Sequence, residues 1–171
     1  MNEPRIIPLS SDNLDIDAAE VLQPMIDSGR SWNIFLTLAR HPDLAKRWLV
    51  FSNHVLFKST LPPREREIAI LRIGWLCQSE YEWAQHKIIG ADAGLLATEI
   101  EEIKKGPEGQ WNALDSLILS ATDELHHEKK ISEATWNSLL EHWNEQQLMD
   151  LVFAVGQYLS LIHISEPTRP Y

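Results

Sequence analysis

Between Pro63 and Gln78 the chain runs through Ile68, Ala69, Ile70, Leu71, Ile73, Trp75, Leu76 and Cys77 with almost no polar position between them. A helix that is apolar on nearly every side has to be surrounded by other elements, so the fold must be built around this segment. Pro62 and Pro63 suit its first turn, where a missing N–H costs nothing, and Glu65 and Glu67 fall near the positive end of its dipole. A second helix is expected from about Glu80 to Ala93, with Gly94 as a left-handed stop.

Helical spacing continues elsewhere. Leu14, Ala18, Val21 and Met25 recur at steps of three and four, as do Trp111, Leu114, Ile118, Ala121 and Leu125, and later Leu148, Leu151, Val152, Val155 and Leu159. No stretch alternates in the way a half-buried strand requires. Gly and Pro break the pattern at Ser28 to Ser31, His41 to Pro42, Leu61 to Pro63, Gly94, and Gly106 to Gly109. The expectation is an all-α helical bundle of six to nine helices, and 171 residues suit a single domain.

Charge and cysteine usage exclude several functions. Lys and Arg number 15 against 25 Asp and Glu, a net charge of −10 that repels a phosphate backbone, so nucleic acid is not an expected partner. The single cysteine, Cys77, rules out an intrachain disulfide and any paired-cysteine zinc or redox motif. No apolar run is expected to reach the roughly 18 residues a membrane span needs, and the first residues lack the pattern of a secretion signal. A cytoplasmic protein is the expectation.

Chemistry has one candidate centre. Glu82 and His86 are four residues apart on one predicted helix, so their side chains overlie each other. A carboxylate beside an imidazole fixes its tautomer, and an imidazole, with an ordinary pKa of about 6.5, exchanges a proton near neutrality. Ser79 shares that face, and Glu67 lies on the preceding apolar helix, where an inward carboxylate needs a partner. The same spacing is also met in exposed helix pairs and in core histidines. Arg66 or Arg72 would grip a substrate carboxylate, or would pair with acidic neighbours. Asn53, His54 and Lys58 are further candidates for lining a cleft. Asp123, His126 and His127 make a poor metal set, because adjacent histidines point to different sides of a helix. No metal is expected.

The run Leu61 to Ile100, LPPREREIAILRIGWLCQSEYEWAQHKIIGADAGLLATEI, resembles the core of the carboxymuconolactone decarboxylase family, relatives of alkylhydroperoxidase D. An R-x-R-E start, an apolar helix, Y-E-W-x-x-H and an A-G-L before an acidic helix occur in order. The resemblance implies an alkylhydroperoxidase D-like bundle with N-terminal helices over 1–60 and the family core and C-terminal helices over 61–158. It also implies trimers or hexamers with active sites near subunit contacts. Many members are labelled peroxiredoxins or hydroperoxidases, and that redox branch carries a Glu, then C-x-x-C, then a His. Matched here, those positions fall on Glu67, Ser79, Glu82 and His86, so both thiols are lost and no disulfide relay can form. Cys77, two residues before the first redox position, is turned away from it by about 200 degrees and reads as a buried packing residue.

The non-redox branch is the better match. It implies a cofactor-free enzyme acting by proton transfer or decarboxylation on a small organic acid or lactone. Glu67, Glu82 and His86 would be catalytic, with His86 as the acid oriented by Glu82, and Ser79, Arg66, Arg72 and His54 would bind substrate. A fold kept only for binding or assembly is the remaining alternative. Leu159 to Arg169 resembles the conceptual translation of a sequencing adapter, so residues 159–171 are expected to be a non-native tail.

Overall fold

A computed structural model describes residues 6–29 and 32–165. Among them every regular element is helical. The chain forms two compact units, one of residues 58–162 and the other of residues 1–57 with 163–171.

In the second of these, α1 (Ile16–Asp27) starts where the Asp15 side chain accepts a 2.8 Å hydrogen bond from the Ala18 N–H. Next comes α2 (Asn33–Leu38), and α3 (Pro42–Asn53) opens with Pro42 in its first turn and His41 as its cap. Ala18, Leu22, Leu36 and Ala39 form the core of this unit, with Leu9, Leu14, Ile26 and Phe35 packed against it. A π-helical turn, His54–Lys58, follows α3.

The larger unit is organised around α4 (Pro63–Leu76), in which every residue from Arg66 to Gly74 is buried. Its surroundings are α5 (Glu80–Asp92) and α7 (Ala113–Glu128), together with a 3-10 turn, Ile103–Glu108, that follows α6 (Ala97–Glu102). The unit closes with α8 (Glu133–Leu140) and residues 145–162 of α9 (Glu145–Ser165). Its caps are local: Ser79 for α5, Asn112 for α7 and Ser132 for α8 each accept a backbone N–H with the side chain.

Three features depart from expectation. The central helix stops at Leu76, with Cys77 as its cap and Gln78 at φ 54, so the turn into α5 is tighter than a helix running to Gln78 would give. Trp111 precedes α7 and donates from its indole N–H to the Gly106 carbonyl at 3.0 Å. Residues 145–164 of α9 are, by length and composition alone, apolar enough to cross a membrane, contrary to the expectation that no segment reaches that length. The helix nonetheless buries Leu148, Leu151, Ala154, Val155 and Tyr158, as a core helix does. It also carries Asp150, which accepts from the Thr60 N–H at 2.6 Å and the Thr60 hydroxyl at 2.7 Å. The helix passes Tyr158 without a break and reaches Ser165, with Leu161 and Ile162 buried; residues 166–171 of the expected tail lie outside the described residues.

Candidate active site at the crossing of two helices

Gly90 lets α5 come close to α4. A methyl group there would lie 3.3 Å from Leu71 Cδ1, 3.0 Å from Leu95 Cδ1 and 3.7 Å from Glu67 Cβ. One turn earlier on α5, His86 is therefore set against Glu67.

Glu67 Oε2 and His86 Nδ1 are 2.6 Å apart. With Glu67 as an ionised carboxylate, which only accepts, the proton of this contact sits on Nδ1 and Nε2 is the exchanging nitrogen. That nitrogen faces Glu82 Oε2 at 3.7 Å, an ion-pair distance too long for a hydrogen bond. The other Glu67 oxygen, Oε1, accepts from Arg66 Nε at 3.2 Å, and Arg66 Nη2 stands at the same distance. All four groups are withdrawn from solvent: Glu67 is 0% exposed, His86 4%, Glu82 5% and Arg66 7%. Two carboxylates, a guanidinium and an imidazole thus meet away from solvent, residue types that can exchange protons.

Ser79 is buried beside this cluster as the α5 cap, accepting from the Glu82 N–H at 3.2 Å. It thereby fixes the start of the helix that carries Glu82 and His86. Sequence spacing made Glu82 the group that orients His86; the close carboxylate is instead Glu67, because the crossing of α4 and α5 aims it at Nδ1.

One expected substrate-binding residue, Arg72, is placed elsewhere on α4. Arg72 is five positions beyond Glu67, which turns it about 140 degrees around α4. Its Nε and Nη2 donate to Asp123 at 2.6 and 2.8 Å, and Nη1 donates to the Ile103 and Lys104 carbonyls, both at 3.0 Å. The guanidinium is thus spent on holding the 3-10 turn against α4 and α7. His54 is exposed in the π-helical turn of the smaller unit.

Sequence reasoning also missed a residue. Tyr158 of α9 is 2% exposed, and its ring meets the His86 ring edge to face, centroids 4.8 Å apart with planes at 89°. Burial pushes its phenol well above the ordinary 10, and Glu67 and Glu82 push the same way against Arg66, so the hydroxyl keeps its proton. The available signal was its place on the apolar face of α9, in step with Leu148, Leu151 and Val155.

Cys77 is half-buried where full burial was expected, with Sγ 3.9 Å from His126 Nδ1. Burial lowers His126, aided by His127 and Lys129. No group of three His, Cys, Asp or Glu among the described residues is arranged to hold a metal ion, and Asp123 is already bound to Arg72.

Comparison with known proteins bears on the fold. The sequence profile of the carboxymuconolactone decarboxylase family matches residues 42–105, less than half of the chain, and over that segment the chain is similar to the family. None of the curated proteins matches the chain. Among solved structures, a protein of unknown function from Agrobacterium tumefaciens, a proposed antioxidant defence protein AhpD, is 15% identical with a TM-score of 0.68 over 78% of this chain and 96% of its own. An uncharacterised peroxidase-related protein from Ralstonia eutropha JMP134, with an alkylhydroperoxidase AhpD core, is 19% identical with a TM-score of 0.70, covering 90% of this chain and 81% of its own. The debrominase Bmp8 bound to 2,3,4-tribromopyrrole is 12% identical with a TM-score of 0.75, covering 94% and 87%. These likenesses establish the all-α, alkylhydroperoxidase D-like fold expected from the sequence.

Proposed function

We propose that this chain is a cofactor-free enzyme that moves a proton on a small organic acid or lactone, with decarboxylation as the leading reaction. The observation that carries this reading is the buried Glu67–His86 contact of 2.6 Å, which leaves Nε2 turned toward a second carboxylate.

In the decarboxylation, the bond between the substrate carbon and its carboxylate breaks, carbon dioxide leaves, and the electron pair remains as an enolate. The imidazole first takes a proton on Nε2 from water, delivers it to a carbon of that enolate, and so returns to its Nδ1–H form. Glu67 holds the imidazole plane and stabilises its charged form, while Glu82 accepts or returns the proton on the far side. Arg66, the guanidinium of the cluster, supplies positive charge for the developing oxyanion. We place this activity in the cytoplasm and in a homo-oligomer, a trimer or hexamer. Met149 and Phe153, one helical turn apart on α9 and 56% and 51% exposed, supply apolar surface for such assembly.

The position of Ser79 weighs against a peroxidase relay. Its oxygen caps α5 where the redox branch has its first thiol, and Glu82 stands where the second would be. The test is to offer the chain carboxymuconolactone and simpler unsaturated lactone acids in heavy water and follow carbon dioxide release. Release with deuterium taken up at a carbon of the enolate left behind is expected. No release from any of them would overturn the decarboxylase assignment.

A further inference from the structure

We infer that Tyr158 is a positioning residue of the site, its ring forming the wall that fixes the His86 imidazole in the plane where Nδ1 meets Glu67 and Nε2 faces Glu82. The inference deepens the proton-transfer reading and rests on it for its functional meaning.

An imidazole on a helix has two side-chain torsions, and one hydrogen bond to Glu67 leaves rotation about that contact open. The second constraint comes from α9. Tyr158 meets the imidazole at 89° with centroids 4.8 Å apart, within the range of favourable edge-to-face contacts. At 2% exposure, its ring also fills a side of His86 that water would otherwise occupy. Water at that side would compete for Nδ1 and Glu67 and mix the two tautomers. To the same cluster α4 contributes Arg66 and Glu67, and α5 contributes Glu82. With Tyr158 the site draws on three helices, and the third lies far along the chain from the family motif.

A residue that merely packs would lower stability when shortened, with no particular effect on the tautomer. A positioning wall predicts a spectroscopic change at His86 itself. In the full-length protein labelled with nitrogen-15, long-range proton–nitrogen spectra should show His86 with its proton on Nδ1, and Tyr158 ring protons should show nuclear Overhauser contacts to the His86 ring. Tyr158→Phe keeps the ring and should leave the His86 pattern unchanged. Tyr158→Leu should give mixed tautomers and exchange of the Nδ1 proton with water at least about tenfold faster, with helix content by circular dichroism unchanged. A Leu variant with the wild-type His86 pattern, a Phe variant as disturbed as the Leu variant, or a wild type without Tyr158–His86 contacts would each overturn the inference. The last measurement decides even if the Leu variant does not fold. No substrate enters these spectra, so they are independent of whether lactone acids are turned over, and failure of one reading is told apart from failure of the other.

Discussion

Glu67 reaches across from α4 to α5 and meets His86 Nδ1 at 2.6 Å, with its other oxygen shared by Arg66 at 3.2 Å. A carboxylate that is 0% exposed between two cationic or proton-bearing partners is the electrostatic keystone of the larger unit. Glu67→Ala would leave a guanidinium and an imidazole buried without their counter-charge and should destabilise the fold by about 3–5 kcal/mol. Glu67→Gln keeps shape and an acceptor oxygen, so about 1–2 kcal/mol is expected. Urea denaturation of the three proteins checks the order, and an alanine variant as stable as the wild type would contradict it.

The 3-10 turn before α7 predicts a second effect. Gly106 has φ 76 and ψ −154, a backbone region that residues with a Cβ avoid. A methyl group there would also lie 2.6 Å from Arg72 Nη2 and 2.9 Å from its Cζ. Gly106→Ala should therefore cost about 2–4 kcal/mol, from backbone strain and from displacing the guanidinium that holds the turn. The same substitution at Gly156, where nothing lies within 4 Å of the added methyl group, provides the control in a thermal melt.

Acid should weaken the α7–α8 junction. Burial pulls the Glu124 carboxyl upward, but the Ser132 N–H at 2.7 Å, the Thr135 hydroxyl at 2.7 Å and the Ser132 hydroxyl at 3.0 Å outweigh it and hold the group below its ordinary 4.5. A carboxyl depressed in the folded state contributes stability that is complete above the unfolded value and is lost as pH falls through the folded one. The urea midpoint should thus decline as pH drops below about 4.5, and Glu124→Gln should flatten that decline. An identical acid limb in the variant would assign the loss to other carboxyls, such as Glu99, which Leu96 N–H and Arg64 likewise hold down against burial.

Cys77 separates the proton-transfer reading from a redox one. It is half-buried at the end of α4, beside His126, with no second cysteine in the chain to resolve an oxidised thiol. Cys77→Ser should leave lactone-acid turnover unchanged, and neither protein should consume hydroperoxide catalytically with a dithiol reductant. Peroxide turnover that disappears in the serine variant would favour the redox branch.

The sequence showed the central helix because apolarity on every side has one physical reading, and it showed Glu67, Glu82 and His86 as candidates through helical spacing and family resemblance. Which carboxylate takes Nδ1 was not legible, since it depends on the close approach of α5 at Gly90 and not on spacing within one helix. Tyr158 was hidden for the same reason: in sequence it is one more apolar-face position of α9. For Arg72 the sequence left substrate binding and pairing with an acidic neighbour both open; Asp123 takes the second role, while the two backbone carbonyls that also hold the guanidinium leave no trace in side-chain patterns. The helix caps Asp15, Ser79, Asn112 and Ser132 act within three residues and were not read from the sequence, although their chemistry is local.

The most direct test of the central claim compares wild-type protein with His86→Gln, which keeps polarity and approximate volume while losing the exchanging nitrogen, on whichever lactone acid the wild type turns over in heavy water. The account predicts that kcat falls by about 10²–10⁴-fold with deuterium delivery to carbon falling in parallel and the fold intact. Undiminished turnover and deuterium incorporation in the glutamine variant would contradict it.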